Sequence, residues 1–155
     1  MIRELSRMTI RRAIDEARAL LDEAISHYGL KDVVYEAISH NYGLKDIAYD
    51  VAEPKEEQYG DLYSNLAFQL SKVLRKSPSM IAEEVCSICR DIMPKYRMIK
   101  EIEPHRAGYI NFRLDMHELT RITLEEVKSK GKAYGSIDIG KGRRVLVEHT
   151  SVNPN

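Results

Sequence analysis

Apolar residues near the start of the chain recur every three or four positions, with charged residues between them. The residues that carry this spacing are Ile10, Ile14, Ala17, Leu21, Ala24, Ile25 and Tyr28. A period of this kind places them on one face of an amphipathic helix. We expect the helix to end before Gly29, because glycine readily takes the left-handed conformation that closes a helix.

A short segment is then nearly duplicated. Residues 23–35 recur as residues 36–49, with Asn41 added in the second copy. One additional copy is too short for a solenoid, so we interpret it as a local duplication that adds a helix, from Asp32 to Gly43. The end of the second copy alternates apolar and polar positions instead, which predicts a strand.

Strand patterns and helix patterns alternate through the rest of the chain. The predicted strands are 47–52, 61–64, 99–103, 109–114 and 145–147. The predicted helices follow capping residues at Ser64 or Asn65, at Ser77 and, with a capping-box-like start, at Asp115. In the first of these helices Leu66, Leu70, Val73 and Leu74 are expected to face inward. This order predicts a two-layer α+β fold, in which helices pack on one face of a small, mainly antiparallel sheet.

Charge and composition exclude several classes of protein. Lys and Arg number 24, as do Asp and Glu, so contact with nucleic acid would need a local basic cluster. The candidate cations are Lys72, Arg75, Lys76, Arg106, Arg113, Lys141, Arg143 and Arg144. The alternative is that these residues form ordinary solvated surfaces. No apolar run approaches the ~20 residues that span a bilayer. The amino terminus has no secretory h-region, so we expect a cytoplasmic protein without membrane contact.

Cys86 and Cys89 form a C-x-x-C motif in the middle of a predicted helix. Zinc would need a second pair of ligands, and a thioredoxin-type motif would open a helix after a strand. We therefore expect structural, half-buried cysteines and no metal site. No catalytic triad, carboxylate pair or glycine-rich phosphate loop stands out, so no catalytic residue is predicted.

The strand 109–114 carries the clearest binding pattern. Alternation puts Tyr109, Asn111 and Arg113 on one face of the strand, while its apolar residues face the core. A ring can stack on an unpaired base, an amide can bind the base edge, and a cation can contact phosphate. The alternative is an ordinary solvent-facing sheet surface. Asp61 and Asn65 could also bind a ligand, although such residues beside turns usually satisfy backbone donors.

Several ordered motifs resemble the arginyl-tRNA synthetases. The chain ends in V-E-x-x-S-x-N-P, directly after a short strand. Upstream matches are Glu53-Pro54-Lys55, Gly60-Asp61 with Asn65, the segment 67–72, Pro78 with 81–84, and the segment 108–112. The resemblance covers residues 46–155. In the turn before Tyr109, Arg106-Ala107-Gly108 stands where family members often have Gly-Pro-Gly.

The resemblance implies the amino-terminal additional domain of such an enzyme, which is a two-layer α+β fold. We expect amino-terminal helices in 1–43, the α+β core in 44–130, a linker in 131–142 and the first strand of a class I catalytic domain in 143–155. The chain is expected to be a fragment that ends before the His-x-Gly-His signature for ATP. The parent enzyme joins arginine to its tRNA with ATP and Mg²⁺, whereas the fragment should be inactive.

The resemblance also implies roles for particular residues. Tyr109 and Asn111 match positions that contact the dihydrouridine loop of tRNA, with Arg106 just upstream and Arg113 on the same face. Substrate arginine would be bound, in the parent enzyme, by Glu148, Ser151 and Asn153. The expected partners are arginine tRNA, L-arginine and ATP, and the chain is expected to be a monomer.

Two alternatives remain open at this stage. One is a stand-alone RNA-binding module, which a natural end at Asn155 would favour. The other is a structural or protein-interaction domain that does not bind RNA, which is consistent with the net charge of zero.

Overall fold

The computed structural model describes residues 7–28, 47–136, 142 and 144. The helices are α1 (Arg7–Tyr28), α2 (Leu66–Leu74), α3 (Pro78–Ile92) and α4 (Met116–Lys130), and the strands are β1 (Val51–Ala52), β2 (Leu62–Ser64), β3 (Ile99–Pro104) and β4 (Ile110–Leu114). Short 3-10 turns cover Glu57–Tyr59, Met93–Lys95 and Gly131–Ala133. The predicted helix at 32–43 and the predicted strand at 145–147 lie outside the described residues.

The four strands form one antiparallel sheet in the order β1-β2-β4-β3. The central strand β4 has Ile110, Phe112 and Leu114 buried on one face, as alternation predicted. The helices cover this face: α3 packs against β3, and α1 and α2 both pack against α3. The prediction of a two-layer α+β fold is therefore confirmed.

Helix α1 contributes a complete apolar stripe to the same hydrophobic core. Of the predicted stripe, Ala17, Leu21 and Ala24 are fully buried and Ile10 and Ile25 nearly so, whereas Ile14 is only partly buried. Two residues outside the predicted set, Ala13 and Leu20, are fully buried as well. Among the described residues, the largest fully buried side chain is Phe112 of β4, beneath the helices. Within the described part of the chain, no helix is long and apolar enough to cross a membrane.

The helix caps agree with the sequence in part. The hydroxyl of Ser77 accepts a hydrogen bond from the Met80 N–H, and Asp115 accepts from the His117 and Glu118 N–H groups at 2.9 and 3.0 Å. The reciprocal bond of a capping box is not made. Instead, the Asp115 N–H donates to the Met98 carbonyl, and the Glu118 carboxylate pairs with an arginine on its own helix.

Two local expectations need correction. In the predicted strand 47–52 only Val51 and Ala52 pair with β2, although the burial still alternates and Tyr49 lies inside the core. Its hydroxyl donates to the Asp22 carboxylate at 2.6 Å, so a side-chain contact with α1 fixes this segment. Val73 was expected to face inward, which is wrong: it is 37% exposed, one residue before the end of α2.

Candidate nucleic-acid interface

The uncovered face of the sheet presents a row of polar side chains. Asn111 on β4 is in register with Tyr63 on β2 and with Glu103 on β3. Tyr109 lies directly before β4, two residues from Asn111. Because β4 is hydrogen-bonded on both sides, the backbone that carries these side chains is held in place. The structure therefore confirms that Tyr109 and Asn111 share an open face.

The ring of Tyr109 is fixed and still accessible. It meets the Tyr63 ring edge-on, with centroids 5.6 Å apart, and the Phe68 ring of α2 at 4.8 Å. Such edge-to-face contacts are favourable arrangements of aromatic rings. The residue nevertheless remains 39% exposed. A ring held by two neighbours and open on one side is suited to stacking on a planar ligand.

A tight turn holds Tyr109 in position. The His105 N–H donates to the Tyr109 carbonyl at 2.8 Å, and the Gly108 N–H donates to the His105 carbonyl at 2.7 Å. Gly108 has a φ of +100°, and a Cβ there would lie 2.4 Å from the Cβ of Pro78. Only glycine fits this position without strain. The other two residues of the turn, Arg106 and Ala107, are exposed.

Asn111 and Arg113 differ in how free their side chains are. Within the described residues, the half-buried Asn111 amide makes no hydrogen bond, so its donor and acceptor can both serve a ligand. Arg113 is exposed but lies 3.9 Å from the Glu101 carboxylate on β3. A register shift between Ile99 and Glu101 turns Lys100 and Glu101 outward, which brings this acid to Arg113.

Tyr109 and Asn111 border a cavity of about 430 Å³, here called the tyrosine cleft. Its lining residues are Glu53, Pro54, Lys55, Glu56, Tyr59, Tyr63, His105, Tyr109 and Asn111. Tyr59 and His105 form a second edge-on pair, with centroids 5.6 Å apart. The sequence analysis missed Tyr59, Tyr63 and His105. The alternation in β2 could have marked Tyr63, but the proximity of Tyr59 to His105 depends on how two loops meet.

The charges around the cleft are mixed. Glu53 and Glu56 line it together with Lys55, and the exposed Arg106 extends the turn at its edge. The other described basic cluster, on and after α2, does not line the cleft. There Lys76 pairs with Glu84 at 3.1 Å and Lys72 donates to Gln69 at 2.8 Å.

A second cavity, of about 620 Å³, lies between α1 and α4. Its charged groups are paired with one another: Arg12 lies 3.8 Å from Glu126, and Arg121 contacts both Glu118 and Glu125. The hydrogen bond from Arg121 holds the pKa of the Glu118 carboxyl below its usual range. Although the buried Glu126 Oε2 atom has no hydrogen-bond partner among the described residues, most of these charges are paired within the protein. The tyrosine cleft, with its exposed rings and the Asn111 amide, is therefore the better candidate for a planar ligand.

Asp61 and Asn65 have structural roles. An Asp61 carboxylate oxygen accepts the Leu114 N–H at 2.8 Å, and the Asn65 amide oxygen accepts the Asp50 N–H at 2.8 Å. The neighbouring Gly60 approaches the Phe112 carbonyl so closely that a Cβ would lie 2.7 Å from its oxygen. The expectation that such residues satisfy backbone donors is confirmed for both Asp61 and Asn65.

The cysteines lie deeper in the core than expected. Cys86 and Cys89 are free thiols and fully buried on α3 rather than half-buried. Burial raises the pKa of the Cys86 thiol to about 12 and raises that of Cys89 as well, which disfavours the reactive thiolate. Among the described residues no group of three His, Cys, Asp or Glu side chains is placed to hold a metal ion.

The remaining sequence-predicted site residues are not placed. Glu148, Ser151 and Asn153, which were expected to bind arginine, lie outside the described residues, as do Lys141 and Arg143. The predicted group near Tyr109 is therefore the part of the site that the structure brings together.

The fold and the open face together define a two-layer α+β domain with an aromatic and amide-bearing sheet surface. Comparison with known proteins gives this domain a family. Residues 10–114 match the sequence model described as the arginyl tRNA synthetase N terminal domain. The match covers more than half of the chain, and the chain therefore belongs to this family.

Curated relatives agree with the family match. The chain is 42% identical over 125 residues to an arginine–tRNA ligase of Thermococcus sibiricus, which covers 81% of the chain and 19% of the relative. It is 42% identical over 97 residues to that of Pyrococcus furiosus, covering 63% of the chain and 15% of the relative. For the ligase of Listeria monocytogenes the identity is 39% over 101 residues, covering 65% and 17%. The chain thus spans about a fifth or less of these relatives.

Proposed function

We propose that this domain docks the dihydrouridine-loop and elbow region of arginine tRNA on behalf of an arginine–tRNA ligase. Membership of the family supports a role beside that enzyme's substrate tRNA. Holding the elbow would place the acceptor end of the tRNA at the active site. Positioning of this kind accelerates a reaction because it lowers the entropic part of the barrier.

The observation that carries the proposal is that Tyr109 and Asn111 lie two residues apart on the same open face of the sheet. The Tyr109 ring is held edge-on by two other rings and is exposed on its remaining side. Two residues away, the Asn111 amide has no hydrogen bond within the described part of the chain. A ring for stacking beside a free amide is the combination that binds an unpaired base and reads its edge. Arg106 and Arg113 are proposed to contact phosphate.

The catalytic chemistry is proposed for the parent enzyme, which would be of class I. ATP with Mg²⁺ would supply activation of the arginine carboxylate, and Glu148, Ser151 and Asn153 would help to bind the arginine. The role proposed for the described residues is the binding of tRNA. The isolated chain is expected to bind tRNA without aminoacylating it.

Titration with an arginine-tRNA transcript at two salt concentrations tests the docking role. The Tyr109→Ala/Asn111→Ala double variant should bind at least tenfold more weakly, since one lost base stack alone costs roughly 1–3 kcal/mol. The unsubstituted chain should bind more weakly at the higher salt concentration, because contacts with phosphate release counterions.

Leu124→Ala is the matched control, since Leu124 is 55% exposed on α4 and lies outside the cleft. It should bind as the unsubstituted chain does. Equal binding by the double variant would remove the proposed role of the sheet face. Absence of tRNA binding at both salt concentrations would favour a structural or protein-interaction domain. If the double variant binds tRNA with full affinity, RNA is bound by another surface of the chain.

A further inference from the structure

The tyrosine cleft contains a second exposed aromatic residue, Tyr59. It is 39% exposed, the same fraction as Tyr109. Its ring stands at 89° to the His105 ring, and its hydroxyl makes no hydrogen bond within the described residues. Tyr59 is therefore supported by one neighbouring ring and presents part of its exposed surface to the cleft.

The His105 ring and backbone both make hydrogen bonds within the turn. Its Nδ1 accepts a hydrogen bond from the Ala107 N–H at 3.2 Å, and its backbone N–H donates to the Tyr109 carbonyl at 2.8 Å. Because Nδ1 acts as an acceptor, the proton of the neutral ring is on Nε2. Nε2 can then donate to a ligand in the cleft. The turn that positions Tyr109 thus also positions His105.

We propose that Tyr59 and His105 form a second nucleobase site, so that the tyrosine cleft holds two unpaired nucleotides of one RNA loop. This inference rests on the proposed function, which assigns the first nucleotide to Tyr109 and Asn111. The cavity of about 430 Å³ has more room than a single base fills. It also falls within the roughly 300–1,000 Å³ that is usual for small-molecule sites.

The charges of the cleft indicate which base the second site prefers. Two of the three charged residues that line the cavity, Glu53 and Glu56, are acidic, so phosphate is disfavoured inside it and the bases point inward. The Glu56 carboxylate already accepts a hydrogen bond from Gln58, which leaves Glu53 as the freer acceptor. Carboxylates accept hydrogen bonds from exocyclic amino groups. The second site therefore takes an amino-bearing base, which is adenine, cytosine or guanine, in preference to uracil. The nucleotide phosphates lie outward, towards the exposed Arg106 on the turn beside the cleft.

An abasic scan of the dihydrouridine loop tests this inference. Arginine-tRNA transcripts, each lacking one unpaired base of that loop, are titrated with the full 155-residue chain. Removal of the base should weaken binding at two positions of the loop. At each, the expected loss is roughly 5- to 150-fold, as the loss of one base stack predicts. In Tyr109→Ala, removal of the base at one of these positions should no longer change the affinity. In Tyr59→Ala, the same should hold for the other position.

Conservative variants separate stacking from folding. Tyr59→Phe keeps the ring and should retain the sensitivity to base removal that Tyr59→Ala loses. His105→Asn keeps an acceptor for the Ala107 N–H while removing the ring, and should weaken binding at the Tyr59-dependent position alone. Uridine at that position should bind more weakly than the amino-bearing base, and equal binding would overturn the role of Glu53 and Glu56.

The outcomes distinguish this inference from the function on which it rests. In one outcome, base removal weakens binding at one position only, with an effect that disappears in Tyr109→Ala and persists in Tyr59→Ala. That result would overturn the second site and leave elbow docking intact. No sensitive position at all would overturn both. Two positions that are both abolished by Tyr109→Ala alone would assign both bases to the Tyr109 side and would also overturn the second site.

Discussion

At the scale of single residues, the position of Tyr109 depends on the glycine that precedes it. Gly108 has a φ of +100° and lies against Pro78, the first residue of α3. The turn therefore joins the binding face to the helical layer through a contact that leaves no room for a side chain. Arg106 and Ala107, which precede Gly108 in the turn, are exposed and face no such restriction.

Gly108→Ala should lower the free energy of unfolding by about 2–4 kcal/mol, from the unfavourable φ and from overpacking against Pro78. In a thermal melt this corresponds to a decrease in Tm of roughly 5–15 °C. Gly135→Ala is the matched control, since its φ is +82° and no atom lies within 4 Å of an added Cβ. An equal decrease for both variants would show that backbone strain alone accounts for the effect and that contact with Pro78 contributes nothing.

At the scale of secondary-structure elements, polar caps determine where the helices begin. Ser77 caps α3 with a neutral hydroxyl, whereas Asp115 caps α4 with a carboxylate. Hydrogen bonds from the backbone N–H groups of Glu118 and, to a smaller extent, His117 hold the pKa of the Asp115 carboxyl below its usual range. Hydrogen bonds from Lys95 and Tyr96 lower the pKa of Glu23 on α1 in the same way.

These lowered pKa values make the fold sensitive to acid. Each group binds protons more readily when unfolded, so its contribution is present above the unfolded pKa and is lost as pH falls through the folded pKa. Stability measured by urea unfolding should therefore decline below about pH 4. Asp115→Asn should be less stable than the unsubstituted chain at pH 7 and should lose less stability in acid, with Glu23 and Glu118 retaining part of the decline.

Ser77→Ala is the control for this measurement, because it removes a cap without removing a titratable group. It should lower stability by about 1 kcal/mol at every pH, as the loss of an N-cap does. Parallel pH profiles for Asp115→Asn and the unsubstituted chain would contradict a role for the Asp115 carboxylate in acid sensitivity.

At the scale of the whole molecule, the balance of charge limits how RNA could be attracted. The formal net charge is zero, so long-range steering must come from local cations such as Arg106 and Lys55. Arg113 is partly neutralised by Glu101, 3.9 Å away. We therefore expect weak tRNA binding at physiological salt, with few phosphate contacts.

Arg106→Gln should weaken tRNA binding and reduce the slope of log K against log salt by about 0.7, the value for one contact with single-stranded phosphate. The loss should be similar for tRNAs of different sequence, because phosphate contacts carry no base information. Arg113→Gln is the comparison, and its smaller effect is expected from the Glu101 pair. An unchanged slope in Arg106→Gln would contradict a phosphate contact at this turn.

The sequence by itself determined the elements, the faces of β4 and the family resemblance. Apolar periodicity marked the buried stripe of α1 and the inward face of β4, since burial of apolar surface enforces these periods locally. It also placed Tyr109 and Asn111 on one open face. The alternation at 47–52 did not reveal that only Val51 and Ala52 pair with β2, because pairing depends on where the partner strand ends.

Tertiary structure alone decided the composition of the tyrosine cleft. Tyr59 meets His105 because the loop before β2 and the turn before β4 converge in space, although the two residues are far apart in sequence. The fixed ring of Tyr109 likewise depends on Phe68 of α2 and on the contact between Gly108 and Pro78. Hydrophobic period reports which side of an element is buried, whereas contacts between distant segments follow from packing of the whole chain.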